Sequence, residues 1–123
     1  MRGDDDKAIE DYTTAITLDQ NHANVYFNRG ISYVAKGDYD KAIQDYSHAI
    51  GLKSNYTEAY CNRGEAWLHL KEWEKAKTDL STAKDMGEDI IVSFHNDYES
   101  VEDFEQKNDV KLPEYIATML TQQ

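Results

Sequence analysis

The chain has 123 residues, 40% of them hydrophobic and 30% charged, with a formal net charge of −11. That size and balance suit one soluble, compact domain and exclude a disordered chain. The acidic excess argues against nucleic acid and anionic membranes, both of which need a concentrated Lys/Arg surface, and no apolar run approaches membrane-spanning length.

The acidic weight lies at the two ends: residues 1–22 sum to −4 and 91–123 to −5, against +1 for 23–56 and −3 for 57–90. The single Cys61 cannot close an intrachain disulfide, and no basic-then-apolar leader opens the chain. The expected setting is therefore a reducing, cytoplasmic one.

In chain order, the first element is a helix at about residues 4–18, carrying Ala8, Tyr12, Ala15 and Ile16 on one stripe. Its residues return further on: Gly3, Ala8 and Tyr12 match Gly37, Ala42 and Tyr46, an offset of 34 each time. The segment Tyr26–Tyr33, YFNRGISY, likewise returns as Tyr60–Trp67, YCNRGEAW. Within a unit, Tyr26, Gly30, Tyr33 and Val34 form one helical stripe, and Ala42, Tyr46, Ala49 and Ile50 another. Between the two, Gly37 is a helix terminator and Asp38 an N-cap. Each unit is thus a helical hairpin, with Gly30 and Ala42 small where the two backbones come close.

These residues resemble the tetratricopeptide repeat family, whose pattern of aromatic, Leu-Gly, aromatic and a later Ala with an aromatic four on appears as Tyr26, Arg29-Gly30, Tyr33, Ala42 and Tyr46. It appears again as Tyr60, Arg63-Gly64, Trp67, Ala76 and Leu80. Arg29 and Arg63 replace the family's usual apolar residue, and its closing proline is Gln20, Ser54 and Glu88 here. The resemblance implies an all-α fold of antiparallel helical hairpins stacked as a right-handed superhelix. It divides the chain into the second helix of a truncated first repeat (1–21), two full repeats (22–55 and 56–88) and a capping helix with a C-terminal helical extension (89–123).

Asp11, Asp45 and Asp79 share the period on the second helices, as Arg29 and Arg63 do on the first. The expected pairs run from one repeat to the next, Asp11 with Arg29 and Asp45 with Arg63. Pairing within a repeat, Arg29 with Asp45, is the competing arrangement.

Beyond Gly87 the period stops. Ile90, Ile91 and Phe94 share one face, as in the extra helix that covers the last hairpin of such arrays. Ser100 with Asp103 forms an approximate capping box, and Pro113 in a first turn precedes Ile116, Met119 and Leu120 along one stripe. That last helix either folds back on its own repeats or docks on another molecule.

No phosphate-binding glycine loop and no nucleophile elbow occurs, and His22, His48, His69 and His95 lack paired metal-ligand spacing. Asp4–Asp6 lacks the alternation and glycine of a calcium loop. The expectation is a protein that is not an enzyme and uses no cofactor or metal.

The resemblance implies instead that first helices line a concave groove for a protein or peptide partner. Mapped onto this chain, the groove holds Asn24, Phe27, Asn28, Ile31 and Val34 from one unit and Glu58, Cys61, Asn62, Glu65, Leu68 and His69 from the next. The bland alternative is that Phe27 and Ile31 merely pack against a neighbouring repeat or the tail. One branch of the family holds the C-terminal carboxylates of heat-shock chaperones in a Lys/Arg clamp. Here Glu58 and Asn62 stand where Lys and Arg are expected, so that role is not expected.

The face Ala8, Tyr12, Ala15 and Ile16 would pack on a preceding helix in a full unit. At roughly 25 cal/mol per Å² of apolar surface, leaving it bare forfeits several kcal/mol. Self-association to a homodimer or higher oligomer through this edge is the expected outcome. The alternatives are that the chain is the C-terminal part of a longer scaffold, or an accessory subunit of an enzyme complex.

Overall fold

A computed structural model of the protein describes residues 2–122. These fold into α1 (Arg2–Leu18), α2 (Ala23–Ala35), α3 (Tyr39–Leu52), α4 (Thr57–His69), α5 (Trp73–Asp85), α6 (Ile90–Asp97), α7 (Val101–Asn108) and α8 (Glu114–Met119), and no strand occurs among them. The helices α2/α3 and α4/α5 pair most extensively, α1 lies on α2, and α3 lies on α4. Each 34-residue unit is therefore one hairpin, stacked on the next.

The turns inside the hairpins are made by the same backbone device. After α2, Gly37 at φ 80° sends its N–H to Val34 O at 2.8 Å, and the next N–H, of Asp38, reaches Tyr33 O at 2.9 Å. These two bonds close a Schellman motif, which needs a left-handed residue. One period later that residue is Lys71 at φ 62°, with the same pair of bonds to Leu68 O and Trp67 O. A side chain there is strained by about 1 kcal/mol, and the register of the hairpin is kept regardless.

Packing inside each hairpin rests on two glycines. A Cβ at Gly30 would lie 2.6 Å from the Tyr46 ring, and one at Gly64 would lie 2.8 Å from Leu80 Cγ and 3.2 Å from its backbone N. Tyr46 and Leu80 are themselves sealed at 1% and 0% exposure, so neither can give way.

The ion pairs do not run from one repeat to the next as expected but follow the competing arrangement within a repeat. Arg29 donates through Nε and Nη2 to Asp45 at 2.8 and 2.7 Å, and Arg63 donates likewise to Asp79 at 2.6 and 2.8 Å. Both forks close within a repeat, and Asp11 is the exposed member left over. The reason is geometric: each Asp is on the side of the second helix that faces its own first helix, where the glycine contact brings the backbones together. The preceding second helix supplies a hydroxyl instead, Thr13 to Arg29 and Ser47 to Arg63, each at 3.1 Å from Nη1.

The tail folds back on the repeats. Ile90, Phe94, Val101, Phe104, Leu112, Ile116 and Leu120 join Leu80 and Ala83 of α5 in one buried cluster. Ser100 Oγ accepts the Asp103 N–H at 3.0 Å while Asp103 Oδ2 accepts the Glu99 N–H at 3.1 Å, a capping box displaced by one residue. Pro113 stands one residue before α8, as its N-cap. Tyr115 then donates to Glu74 of α5 at 2.6 Å.

The glycine contacts generate a paired expectation. Gly64→Ala should lower stability by about 1–3 kcal/mol through overpacking, despite alanine's better helix propensity. Gly51→Ala, near the end of α3 with no neighbour within 4 Å, should raise it by up to about 1 kcal/mol. Urea denaturation of both variants checks the signs. A stabilising Gly64→Ala would contradict the close approach.

Candidate functional site

The first helices and the end of α6 enclose a cleft of about 510 Å³. From α2 come Ile31, Val34 and Ala35, and from α3 come Tyr39 and Tyr46. On the far side α4 presents Asn62, Glu65, Ala66 and His69, and Asp97 and Tyr98 close one end. The lining mixes apolar and aromatic side chains with a few polar groups.

His69 is locked in place. Its Nδ1 donates to Asn108 Oδ1 at 3.1 Å and its Nε2 accepts from the Tyr98 hydroxyl at 3.0 Å, while its ring stacks on Tyr39 at 4.2 Å between centroids. Both nitrogens are used by partners that suit a neutral ring, and burial lowers its pKa in the same direction. The Tyr98 hydroxyl is pushed up to about 12 by burial.

Glu65 carries the least comfortable charge. Its Oε2 accepts from Ser93 Oγ at 2.8 Å and faces the Cys61 thiol at 3.7 Å. Burial, reinforced by the nearby charge of Asp97, pushes its carboxyl up to about 7. The same burial, with the charge of Glu65, pushes the Cys61 thiol up to about 12, which leaves it protonated and unreactive.

The residues expected in the groove divide into three groups. Ile31, Val34, Asn62, Glu65 and His69 meet in the cleft. Asn24, Phe27, Asn28 and Glu58 lie on the same two helices but outside it. Asn24 accepts from the Tyr56 hydroxyl at 3.1 Å, Phe27 is held between the rings of Tyr56 and Tyr46, and Asn28 and Glu58 are exposed. Cys61 and Leu68, each 1% exposed, belong to the core beneath the tail and do not reach the cleft.

Tyr39, Tyr46, Asp97 and Tyr98 also line the cleft and were not expected there. Tyr39 had a signal, since Trp73 is its aromatic counterpart one period on. Asp97 and Tyr98 had none, because they follow the end of the period. Among the described residues no group of three or more His, Cys, Asp or Glu side chains is placed to hold a metal ion.

The family described as TPR repeat matches residues 2–36 and 32–71. The chain belongs to the tetratricopeptide repeat family. The second TPR of Spaghetti (RPAP3), bound to the HSP90 peptide SRMEEVD, is 33% identical over 68% of this chain and 78% of that one, with a TM-score of 0.66. The second TPR domain of the human RPAP3 protein, in complex with the HSP70 peptide SGPTIEEVD, is 32% identical over 74% and 78%, with a TM-score of 0.69. The Yersinia enterocolitica type III secretion chaperone SycD, in complex with a peptide of the translocator YopD, covers 96% of this chain and 78% of its own at a TM-score of 0.69. Its 19% identity makes that a likeness of fold alone. A comparison with curated proteins gave no match. The all-α arrangement of stacked antiparallel hairpins expected from the repeat pattern is the fold of these tetratricopeptide domains.

The raised Glu65 carboxyl generates a pH prediction. Its folded value of about 7 exceeds the ordinary 4.5, so its contribution to stability is full below about pH 4.5 and is lost as pH rises through about 7. Glu65→Gln removes that loss. The variant should gain about 1–3 kcal/mol on the parent between pH 5 and pH 8, read by urea denaturation at both pH values. A difference that stays constant with pH would contradict the assignment.

Proposed function

We propose that this chain is a non-catalytic protein-interaction module that takes a peptide or a partner helix in the cleft. The observation that carries this reading is the cleft itself, about 510 Å³ in volume and formed jointly by two successive repeats. Concave sites of this size with an apolar wall and a few polar groups are the usual form of a recognition site. The RPAP3 domains support it, since they share the fold and are bound to the HSP90 and HSP70 peptides. A reducing, cytoplasmic setting fits the reading, with the lone Cys61 buried and protonated. Among the described residues no helix is long and apolar enough to cross a membrane.

Ile31 is the cleanest probe, because it is 43% exposed and its loss opens no core. Partners captured from a source-cell lysate by the immobilised protein should fall at least about fivefold with Ile31→Ala and with Asn62→Ala. They should be unchanged with Gln44→Ala on an exposed face of α3. Equal capture by all three variants would mean that the cleft is not the working surface.

A second reading, self-association through α1, is favoured by a comparison within the molecule. Ala42, Tyr46 and Ala49 of α3 are at most 1% exposed, whereas their counterparts Ala8, Tyr12 and Ala15, with Ile16, are only half-buried. A helix laid on that face by a second copy would bring it to the state of α3. Light scattering at high micromolar concentration should then give a dimer mass, with Ala8→Glu weakening association by about tenfold or more. Monomers alone across the concentration range would dismiss this reading.

A further inference from the structure

The charge of the cleft selects its occupant. Glu65 and Asp97 both face into it, and Glu58 stands two turns before Glu65 on α4. No Lys or Arg lines it, and His69, the remaining basic side chain, spends both ring nitrogens on Asn108 and Tyr98. An anionic group entering this space would meet two carboxylates and no counter-charge.

The donors are also unevenly supplied. Glu65 Oε2 takes the Ser93 hydroxyl and faces the Cys61 thiol, and the Asp97 carboxylate, which supplies no cation, lines the same cleft. Tyr46 is 1% exposed, yet it lines the cleft floor beside Asn62. Ile31, Val34 and the rings of Tyr39 and Tyr98 line the same space. A long side chain with an apolar stem and a cationic head suits this mixture, its methylenes against the apolar and aromatic groups and its head on the carboxylates.

Resting on the groove reading above, we propose that the cleft takes a lysine or arginine side chain of a partner peptide. Its occupant is then opposite in charge to the acidic peptides held by the RPAP3 domains. Arginine is the better fit of the two, because its planar fork can span two carboxylates and stack on a tyrosine ring.

The test is an amide NMR titration of the full chain with three pools of acetylated, amidated heptapeptides. The central residue is fixed as Arg, Gln or Glu, and the other positions vary over uncharged residues. The peptide SGPTIEEVD, acidic and without Lys or Arg, is a fourth probe. The Arg pool should move the amides of Ile31, Asn62 and Asp97 with an apparent affinity about tenfold or more above the Glu pool, with the Gln pool between them and SGPTIEEVD without effect. Asp97→Asn, an exposed substitution, and Glu65→Gln should each narrow the Arg-to-Glu gap to about threefold or less.

A Glu pool or SGPTIEEVD that binds as tightly as the Arg pool overturns the proposal, as does an unchanged gap in both variants. Arg-pool shifts confined to the acidic ends of the chain overturn it too, as general attraction to a protein of charge −11. A cleft that responds to no pool rejects the groove reading itself, and the proposal with it.

Discussion

The closeness of the two backbones at Gly30 and Gly64 is the constraint from which the rest of the structure follows. With no side chain at these positions, the ring of Tyr46 and the branch of Leu80 occupy the space a Cβ would fill. Because Arg29 and Arg63 immediately precede those glycines, the same approach carries each guanidinium to the aspartate of its own hairpin. The fork that forms is bidentate, on carboxylates that are 4% exposed. A pair of this kind contributes little net stability, but removing one partner strands a buried charge at about 3–5 kcal/mol. At Asp79 the indole of Trp67 adds a third donor at 3.1 Å. The pairs therefore act as register pins: a hairpin slipped by a turn would lose both its glycine contact and its fork.

The C-terminal extension is as consequential as the repeats. By laying Ile90 and Phe94 on α4 and α5, α6 buries Cys61 and Leu68. Phe94, Phe104, Ile116 and Leu120 are each at most 1% exposed, and side chains of this kind stabilise by about 1.5–3 kcal/mol apiece when fully buried. The same docking brings Tyr98 and Asp97 to the mouth of the cleft and lets Asn108 of α7 hold the His69 ring. Capping the core and shaping the site are one packing event here.

What could be read in advance follows from which interactions are periodic. The hairpins and their turns were legible because Gly37, Ala42, Tyr46 and their counterparts recur at one offset, and recurrence is insensitive to distant contacts. Even the departure at Lys71, which takes the left-handed place of a glycine, leaves the turn intact. The direction of the arginine pairs was not legible: Asp11 and Asp45 occupy equivalent places in the period, so spacing alone cannot choose between them. For the site, the family resemblance named Ile31, Val34 and Asn62, which lie on periodic helices and line the cleft. The burial of Cys61 and Leu68 was not legible, because it depends on a tail that shares no period with the repeats. Asp97 and Tyr98 stayed hidden for the same reason.

A shared fold leaves the charge of the bound partner open, and α4 shows how. Gly64 is buried against Leu80 and Arg63 is committed to Asp79, so both belong to the scaffold. Asn62 and Glu65, their immediate neighbours in sequence, look into the cleft. A helix turns by about 100° per residue, so adjacent positions serve different masters: one face holds the hairpin and the next meets the partner. Exchanging a basic residue for Glu65 leaves the glycine contact and the fork untouched, and it reverses the sign of the field inside the cleft. The raised pKa of Glu65 records the cost of holding that carboxylate among buried groups with Asp97 nearby. A cation entering between the two would relieve the repulsion and hold Glu65 ionised, so the least comfortable charge in the empty molecule is the one with most to gain from a ligand.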